Sequence, residues 1–386
     1  MNLRYALIHA AYWASYGLIW AFIAPLMAHY GFSTSVIGIV TAVATLLAVA
    51  VSPALAQFFS KSDKLLDRHG AAIQMLLAAL LAALALIFDG SKFILAAAFL
   101  LLGTIQVTAP PFINTMGLTA TNAGHGVVYG FCRGIGSVSY AVCVLIFGVL
   151  IERFAPPLLL PCYVVCTLLA FWAMITFRHS AERSSTPAQE KSMSAIALMR
   201  AYPRFTLTLL ATALFYAAHH IYNIYLNNIL ERVGANESAM GLALAISAAV
   251  ELPAMTFVSK YEKKLKCSTL FTIASATVLV RLAVYAFAPS VIWMYAVQCL
   301  QFFEFGFFLP ATVYYVARKL PEQAQLQGQS LIFVASNGLG AAFGSLVGGI
   351  LIDTSLGVYA ALIFAAVCAV VALPLYASCD KLKDLT

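Results

Sequence analysis

The chain has 386 residues, 62% of them hydrophobic and 10% charged, with a mean hydropathy of +0.91. Soluble domains carry about 25% charged residues, so this composition excludes a soluble protein and implies a polytopic α-helical membrane protein. The net charge of +7 falls in loops on one expected side rather than in one compact patch, and no nucleic-acid partner is implied.

A helix crossing the hydrocarbon core needs roughly 20 mostly apolar residues. Twelve segments qualify: 5–28, 35–59, 70–88, 93–119, 126–151, 156–177, 202–229, 238–258, 267–286, 289–317, 328–352 and 356–378. The first is too long and too polar (Tyr12, Trp13, Ser15, Tyr16) for a cleaved signal peptide and is expected to be retained. Of the 22 Lys and Arg, the expected outer loops hold only Lys92, Arg153 and Arg232, and Arg133 and Arg281 lie inside spans. The others fall on the inner side, including Arg4, Lys61, Lys64, Arg68, Arg178, Arg183, Lys191, Lys263, Lys381 and Lys383. This asymmetry predicts an even number of spans with both termini cytoplasmic.

Polar residues inside the spans are the functional candidates, because each is costly in lipid and usually faces the bundle interior. Span 1 offers Tyr16 and span 4 offers Asn114 in PPFINTM. Span 5, YGFCRGIGSVSYAV, puts Arg133 and Tyr140 on one broad face lined with small residues. Arg133 suits bidentate recognition of a carboxylate or of sugar hydroxyls, and near the start of its span it also fits a snorkelling role. Residues 178–204 are charged and contain Ser and Pro, which reads as a linker. On span 7, HHIYNIYLNN gives His220, Asn223 and Asn227 as one stripe at i, i+3, i+7, flanked by His219 and Tyr222. Span 8 carries Glu251, span 9 Arg281 and span 11 Asn337. In span 10, CLQFFEFGFF places Gln298, Gln301 and Glu304 three residues apart, on one helix face. Arg281 is the natural counter-charge for a carboxylate here. A dry interior favours the protonated acid and a guanidinium favours the carboxylate, so such a group can load and release a proton. Whether Glu304 or Glu251 is the main carrier stays open at this point. The eight cysteines are scattered, no third ligand is spaced to join the histidines, and neither a metal nor a cofactor is expected.

The halves resemble each other. GFSTSVIG (31–38) matches GANESAMG (234–241) at an offset of 203, and PALAQFFSKSDK (53–64) matches PAMTFVSKYEK (253–263) with one deletion. At the first offset Tyr16 is the counterpart of His219. The expected organisation is a six-helix bundle over 1–177, a cytoplasmic linker over 178–201 and a second six-helix bundle over 202–386.

Twelve spans in a six-plus-six repeat with a long central loop resemble the major facilitator superfamily, and DRHG (67–70) resembles part of its inner-loop signature. YGFCRGIGSVSYAV, HHIYNIYLNN, AVELP, LQFFEFGF and YYVARKLPEQAQLQGQS, in order along the chain, are similar to the lactose-permease and phenylpropionate-permease branch. That resemblance implies an all-α fold of two pseudo-symmetric bundles with a site between them. It implies cargo recognition by Arg133 and proton coupling through Glu304, Arg281 and Glu251. Gln301 stands where the permease has a histidine, Tyr140 where it has a tryptophan, and its span-4 glutamate has no counterpart, Asn114 being the nearest polar residue. These departures argue against lactose as cargo. The implied function is proton-coupled symport of a sugar or oligosaccharide, a nucleoside or an aromatic acid by alternating access, in a bacterial inner membrane, by a monomer. A proton-antiport exporter of amphiphilic drugs is the alternative. No phosphate-binding loop or soluble catalytic domain supports an enzyme, and no filter-like motif supports a channel.

Overall fold

A computed structural model describes residues 2–60, 67–122, 126–177, 194–261 and 264–379. Among them there are helices and connections and no β-strand. In lipid a backbone must satisfy its own hydrogen bonds, and a helix does so within one segment. The first part of the chain forms α1 (Asn2–Tyr16), α2 (Ile23–His29), α3 (Thr34–Ser60), α4 (Asp67–Ile87), α5 (Lys92–Asn122), α6 (Tyr129–Phe154) and α7 (Leu159–Thr176). The second part forms α8 (Ala195–Ala201), α9 (Pro203–Ile224), α10 (Leu226–Glu231), α11 (Glu237–Tyr261), α12 (Cys267–Phe287), α13 (Val291–Gln298), α14 (Phe305–Lys319), α15 (Glu322–Phe333), α16 (Ala341–Ile352) and α17 (Val358–Ser378).

Ten helical stretches among the described residues are long and apolar enough to cross a membrane. The bent pair Asn2–Ala21 and Ile23–His29, meeting at 52°, makes an eleventh if read as one span. The remaining expected crossing, 202–229, is helical as α9 and α10 but is not one of these, because its polar residues lower its hydropathy. The expected linker lies outside the described residues over 178–193, and its end forms α8, capped by the Ser194 hydroxyl accepting from the Ala197 N–H at 3.2 Å. Lys61, Lys64, Arg178, Arg183, Lys191, Lys263, Lys381 and Lys383 also lie outside them.

The chain divides into two compact units, Met1–Ser184 with Ala235–Ala248, and Ser185–Gly234 with Ala249–Thr386. The division falls inside α11, whose residues up to Ala248 group with the first unit and whose remainder groups with the second. Within the first unit α4 packs on α5 and α7, and α1 on α6 and α7. Within the second, α12 packs on α14 and α17, and α9 on α16 and α17. The neighbours therefore repeat, and so do three local details. Gly31 and Gly234, the aligned first glycines of the sequence repeat, both adopt left-handed φ (+73° and +71°) at the end of α2 and α10, where glycine is the residue without a Cβ penalty. Phe22 (φ −108°, ψ 18°) and Tyr225 (φ −100°, ψ 25°) break the first helix of each unit at the same offset. Arg4 donates to the Thr176 carbonyl (3.3 Å) at the end of α7, and Arg204 to the Ser378 carbonyl (3.4 Å) at the end of α17. A cation there satisfies an orphan helix carbonyl and complements the helix dipole.

Close packing in the second unit relies on a glycine stripe in SNGLGAAFG. A Cβ on Gly344 would run into the backbone of Ala217 in α9. Gly344→Val should therefore lower the melting temperature of the purified protein, at a cost of about 1–3 kcal/mol. Gly130→Ala, on α6 with open space around the new methyl, should leave it unchanged or slightly raised.

Candidate functional site

The second unit buries a polar cluster in which both Nη atoms of Arg281 are hydrogen-bonded while its Nε meets no partner among the described residues. Glu304 is 0% exposed and Arg281 2%. The span-10 segment is not one continuous helix. α13 ends at Gln298, residues Cys299–Phe302 tighten to a 3₁₀ turn, and Glu304 (φ −86°, ψ −92°) precedes α14. Tight and widened turns inside helices often mark functional positions. The break orphans no backbone group at Glu304: its N–H reaches the Leu300 carbonyl (3.1 Å) and its carbonyl accepts from Phe308 (2.9 Å). A second irregularity, the π-helical Val334–Gly340, carries Asn337.

The two carboxylate oxygens of Glu304 serve different partners. Oε2 accepts from Arg281 Nη1 at 2.7 Å. Oε1 lies 2.6 Å from His219 Nδ1 and accepts from the Tyr222 hydroxyl. Arg281 Nη1 also donates to Gln301 Oε1, while Nη2 donates to Gln298 Oε1 (2.7 Å) and Tyr285 Oη (3.0 Å). Gln298 Nε2 in turn donates to Tyr285 Oη at 2.9 Å. The guanidinium lies over the Tyr222 ring, 4.7 Å from its centroid. A buried charge is tolerable only when paired and hydrogen-bonded, and this shell meets both conditions from α9, α12 and the α13–α14 break.

The structure brings together Glu304, Arg281, Gln301, Gln298, His219 and Asn223 of the sequence candidates. Glu251 is half-buried on α11 and is not among the groups bonded to Arg281. The expected stripe through His220, Asn223 and Asn227 does not hold as one line. The helix breaks at Tyr225, and Asn227, on α10, donates to Glu231 Oε1 (2.7 Å) instead. His220 stacks on Tyr216, ring centroids 6.1 Å apart. Asn337 accepts from Tyr216 Oη at 2.9 Å. Tyr285 is a neighbour of the cluster that the sequence reading left out, and Tyr222 entered that reading only as a flank of the span-7 stripe. Tyr285 is four residues after Arg281, one helical turn along the same face, which is a usable signal.

In the first unit Arg133 is half-buried on α6, donates to Ser137 Oγ (2.9 Å) and lies 4.1 Å over the Trp13 ring. Gly136 makes this possible, since a Cβ there would collide with the Trp13 indole. Tyr16 and Tyr140 meet nearby, ring centroids 6.2 Å apart. Asn114 is half-buried on α5, and no hydrogen bond among the described residues joins it to this group. His9 went unnoticed in the sequence. It is buried beside Tyr5 (4.8 Å between ring centroids) and Tyr129 (6.2 Å), and neither ring nitrogen meets a hydrogen-bonding partner among the described residues. No group of three or more His, Cys, Asp or Glu among the described residues could hold a metal ion.

Apolar helices in two units with repeated internal neighbours, one enclosing a buried glutamate–arginine cluster, define a multi-pass membrane transporter fold, a class whose members are generally not enzymes. The chain belongs to the MFS_1 like family, whose model matches residues 3–364. It is 26% identical over 258 residues to the uncharacterized transporter YwbF of Bacillus subtilis (strain 168), covering 64% of this chain. It is also 26% identical over 253 residues to a maltose permease of Geobacillus stearothermophilus, covering 66% of this chain. The chain spans 61% and 63% of the length of these two relatives. Its fold matches the crystal structure of the nucleoside transporter NupG with a TM-score of 0.83 at 16% identity, covering 99% of both chains. A bacterial homolog of the human lysosomal transporter Spinster, inward-facing and unoccupied, matches with a TM-score of 0.71 at 12% identity, covering 98% of this chain and 96% of that one.

Removing one member of a buried ion pair leaves the other uncompensated, at a cost of about 3–5 kcal/mol. Arg281→Met should lower the melting temperature strongly. The double variant Arg281→Met/Glu304→Leu should recover much of the loss, because an apolar pair of similar volume carries no buried charge.

Proposed function

We propose that the chain is a proton-coupled symporter that takes up a small hydroxylated ring compound, a sugar or a nucleoside, with Glu304 as the proton carrier. The observation that carries this reading is the divided allegiance of the Glu304 carboxylate. One oxygen is on the Arg281 guanidinium and the other on His219 and Tyr222, all inside a dry interior. Held by the guanidinium, the acid stays ionised; parted from it, the dry surroundings favour the proton. A change of partner thus moves a proton, and coupling that change to cargo occupancy makes a symporter. Glu251, away from the guanidinium, is the lesser candidate for this role. Inward proton movement supplies about 2.3 kcal/mol per 100 mV, roughly a 50-fold accumulation per proton.

Cargo recognition is assigned to Arg133, Trp13, His9, Tyr16 and Tyr140 in the first unit. A guanidinium is suited to donate to hydroxyl or carbonyl oxygens, and the surrounding rings are suited to stacking on a ring compound. Relatives named as a maltose permease and a nucleoside transporter support a hydroxylated ring over an amphiphilic drug. His220, Asn227, Asn114 and Asn337 remain candidate contacts of second rank. The proposed setting is a bacterial inner membrane, with twelve crossings, both termini cytoplasmic, bundles over 1–177 and 202–386, and a monomeric carrier.

The test uses the purified chain in vesicles with an imposed pH gradient and radiolabelled maltose and uridine as probes. Wild-type protein should accumulate one of them against its gradient. Glu304→Gln should abolish accumulation while exchange of labelled for unlabelled probe persists. Uphill uptake undiminished in Glu304→Gln would sink the assignment.

A further inference from the structure

Two groups stand where an arriving proton could settle, Glu304 and His219, with the Tyr222 hydroxyl beside both. The geometry on the far side of the His219 ring bears on the choice. Asn223 follows His219 by one turn of α9. Its Nδ2 lies 2.8 Å from the His219 carbonyl oxygen and 3.1 Å from His219 Nε2. A backbone carbonyl only accepts, so the nitrogen end of the amide must face it. The backbone thereby fixes the amide orientation independently of the ring. The same NH₂ has a second hydrogen to give, and the ring nitrogen beside it must be the bare one. The imidazole hydrogen is then on Nδ1, aimed at Glu304 Oε1 2.6 Å away. A further proton on Nε2 would set N–H against N–H. Turning the amide to receive it would set amide oxygen against the His219 carbonyl oxygen.

We propose that Asn223 is a positioning residue that holds His219 in its neutral Nδ1–H tautomer. His219 then serves Glu304 as a hydrogen-bond donor, and a proton entering the cluster settles on the carboxylate. Only this last consequence rests on the reading of Glu304 as proton carrier; the tautomer does not. The other ionisable groups around the ring leave the arrangement intact. Tyr222 donates to the same carboxylate oxygen, and Arg281 holds the other one. On α9 itself, the Tyr216 ring lies 5.6 Å from the His219 ring, between centroids, and His220 stacks on Tyr216. Glu251, half-buried on α11, is not hydrogen-bonded to the His219 ring. None of these places a hydrogen-bond acceptor at Nε2.

The experiment is histidine ¹⁵N NMR on the full chain in lipid nanodiscs at neutral pH. His219→Gln protein assigns the His219 signals among the seven histidines. Wild-type protein should show a protonated Nδ1 and a bare Nε2. Asn223→Asp exchanges the donor for an acceptor and should give a ring protonated at both nitrogens. Asn223→Leu should release the ring, so that an Nε2–H population appears. A wild-type His219 carrying its proton on Nε2, or on both nitrogens, overturns the proposal, and so does an Asn223→Asp spectrum unchanged from wild type. The wild-type spectrum decides the matter even if a variant fails to fold. Because no transport enters this readout, it can fail while proton-driven uptake through Glu304 holds, and the reverse.

Discussion

The organisation of the second unit follows from burying one carboxylate with one guanidinium. Two ions in a low-dielectric interior lose several kcal/mol of hydration each, and their mutual attraction repays this only with good geometry and further hydrogen bonds. That requirement draws in side chains from three separate elements. Gln298 and Gln301 approach Arg281 from one segment, Tyr285 from its own helix, and His219 and Tyr222 close on Glu304 from α9. The cluster also accounts for the company kept by the broken backbone of span 10. Gln298, Gln301 and Glu304, spaced by three, all face one point through the tightened turn between α13 and α14.

The first unit repeats the helix neighbours without repeating this chemistry. Its α4–α7 and α1–α6 contacts mirror α12–α17 and α9–α16, and the break at Phe22 mirrors that at Tyr225. Yet the counterpart of span 10, α5, is continuous across its whole length, and α6 has no π-helical segment like Val334–Gly340. On α6, the Arg133 guanidinium rests half-buried on an indole. One scaffold therefore carries two chemistries: a closed ionic cluster in one unit, and an aromatic and guanidinium surface in the other.

Much of this was legible before the fold. The apolar periodicity showed the spans, the spacing of three placed Gln298, Gln301 and Glu304 on one face, and a lone arginine in TVLVRLAV named the counter-charge. The repeat alignment of GFSTSVIG with GANESAMG identified the two left-handed glycines by position. What escaped did so for physical reasons. Helical spacing assumes an unbroken helix, and nothing in NIYL warns that Tyr225 interrupts one, so Asn227 was aligned with side chains it does not join. Tyr222, Tyr285 and Trp13 read as ordinary amphipathic aromatics in a chain with 18 Tyr and 26 Phe. Their roles come from which charge lies against them, and that is a tertiary fact. His9 stood alone among alanines and gave no pattern at all.

A buried ion pair is a weak device for stability, since an apolar pair of similar volume often does as well. Its presence here needs another reason, and the asymmetry of Glu304 offers one. An apolar substitute could fill the space but has no second state. The carboxylate has two oxygens committed to partners of different kinds. One is a permanent cation that competes with a proton; the others are the His219 imidazole and the Tyr222 hydroxyl, groups whose hydrogen bonds can serve either form of the acid. Such a group can exchange its ionic partner for a proton without leaving its polar shell empty in either condition. In the proposed proton-coupled cycle the cost of burying these charges is tied to reversibility, a property that a transporter returning to its starting state on every cycle needs.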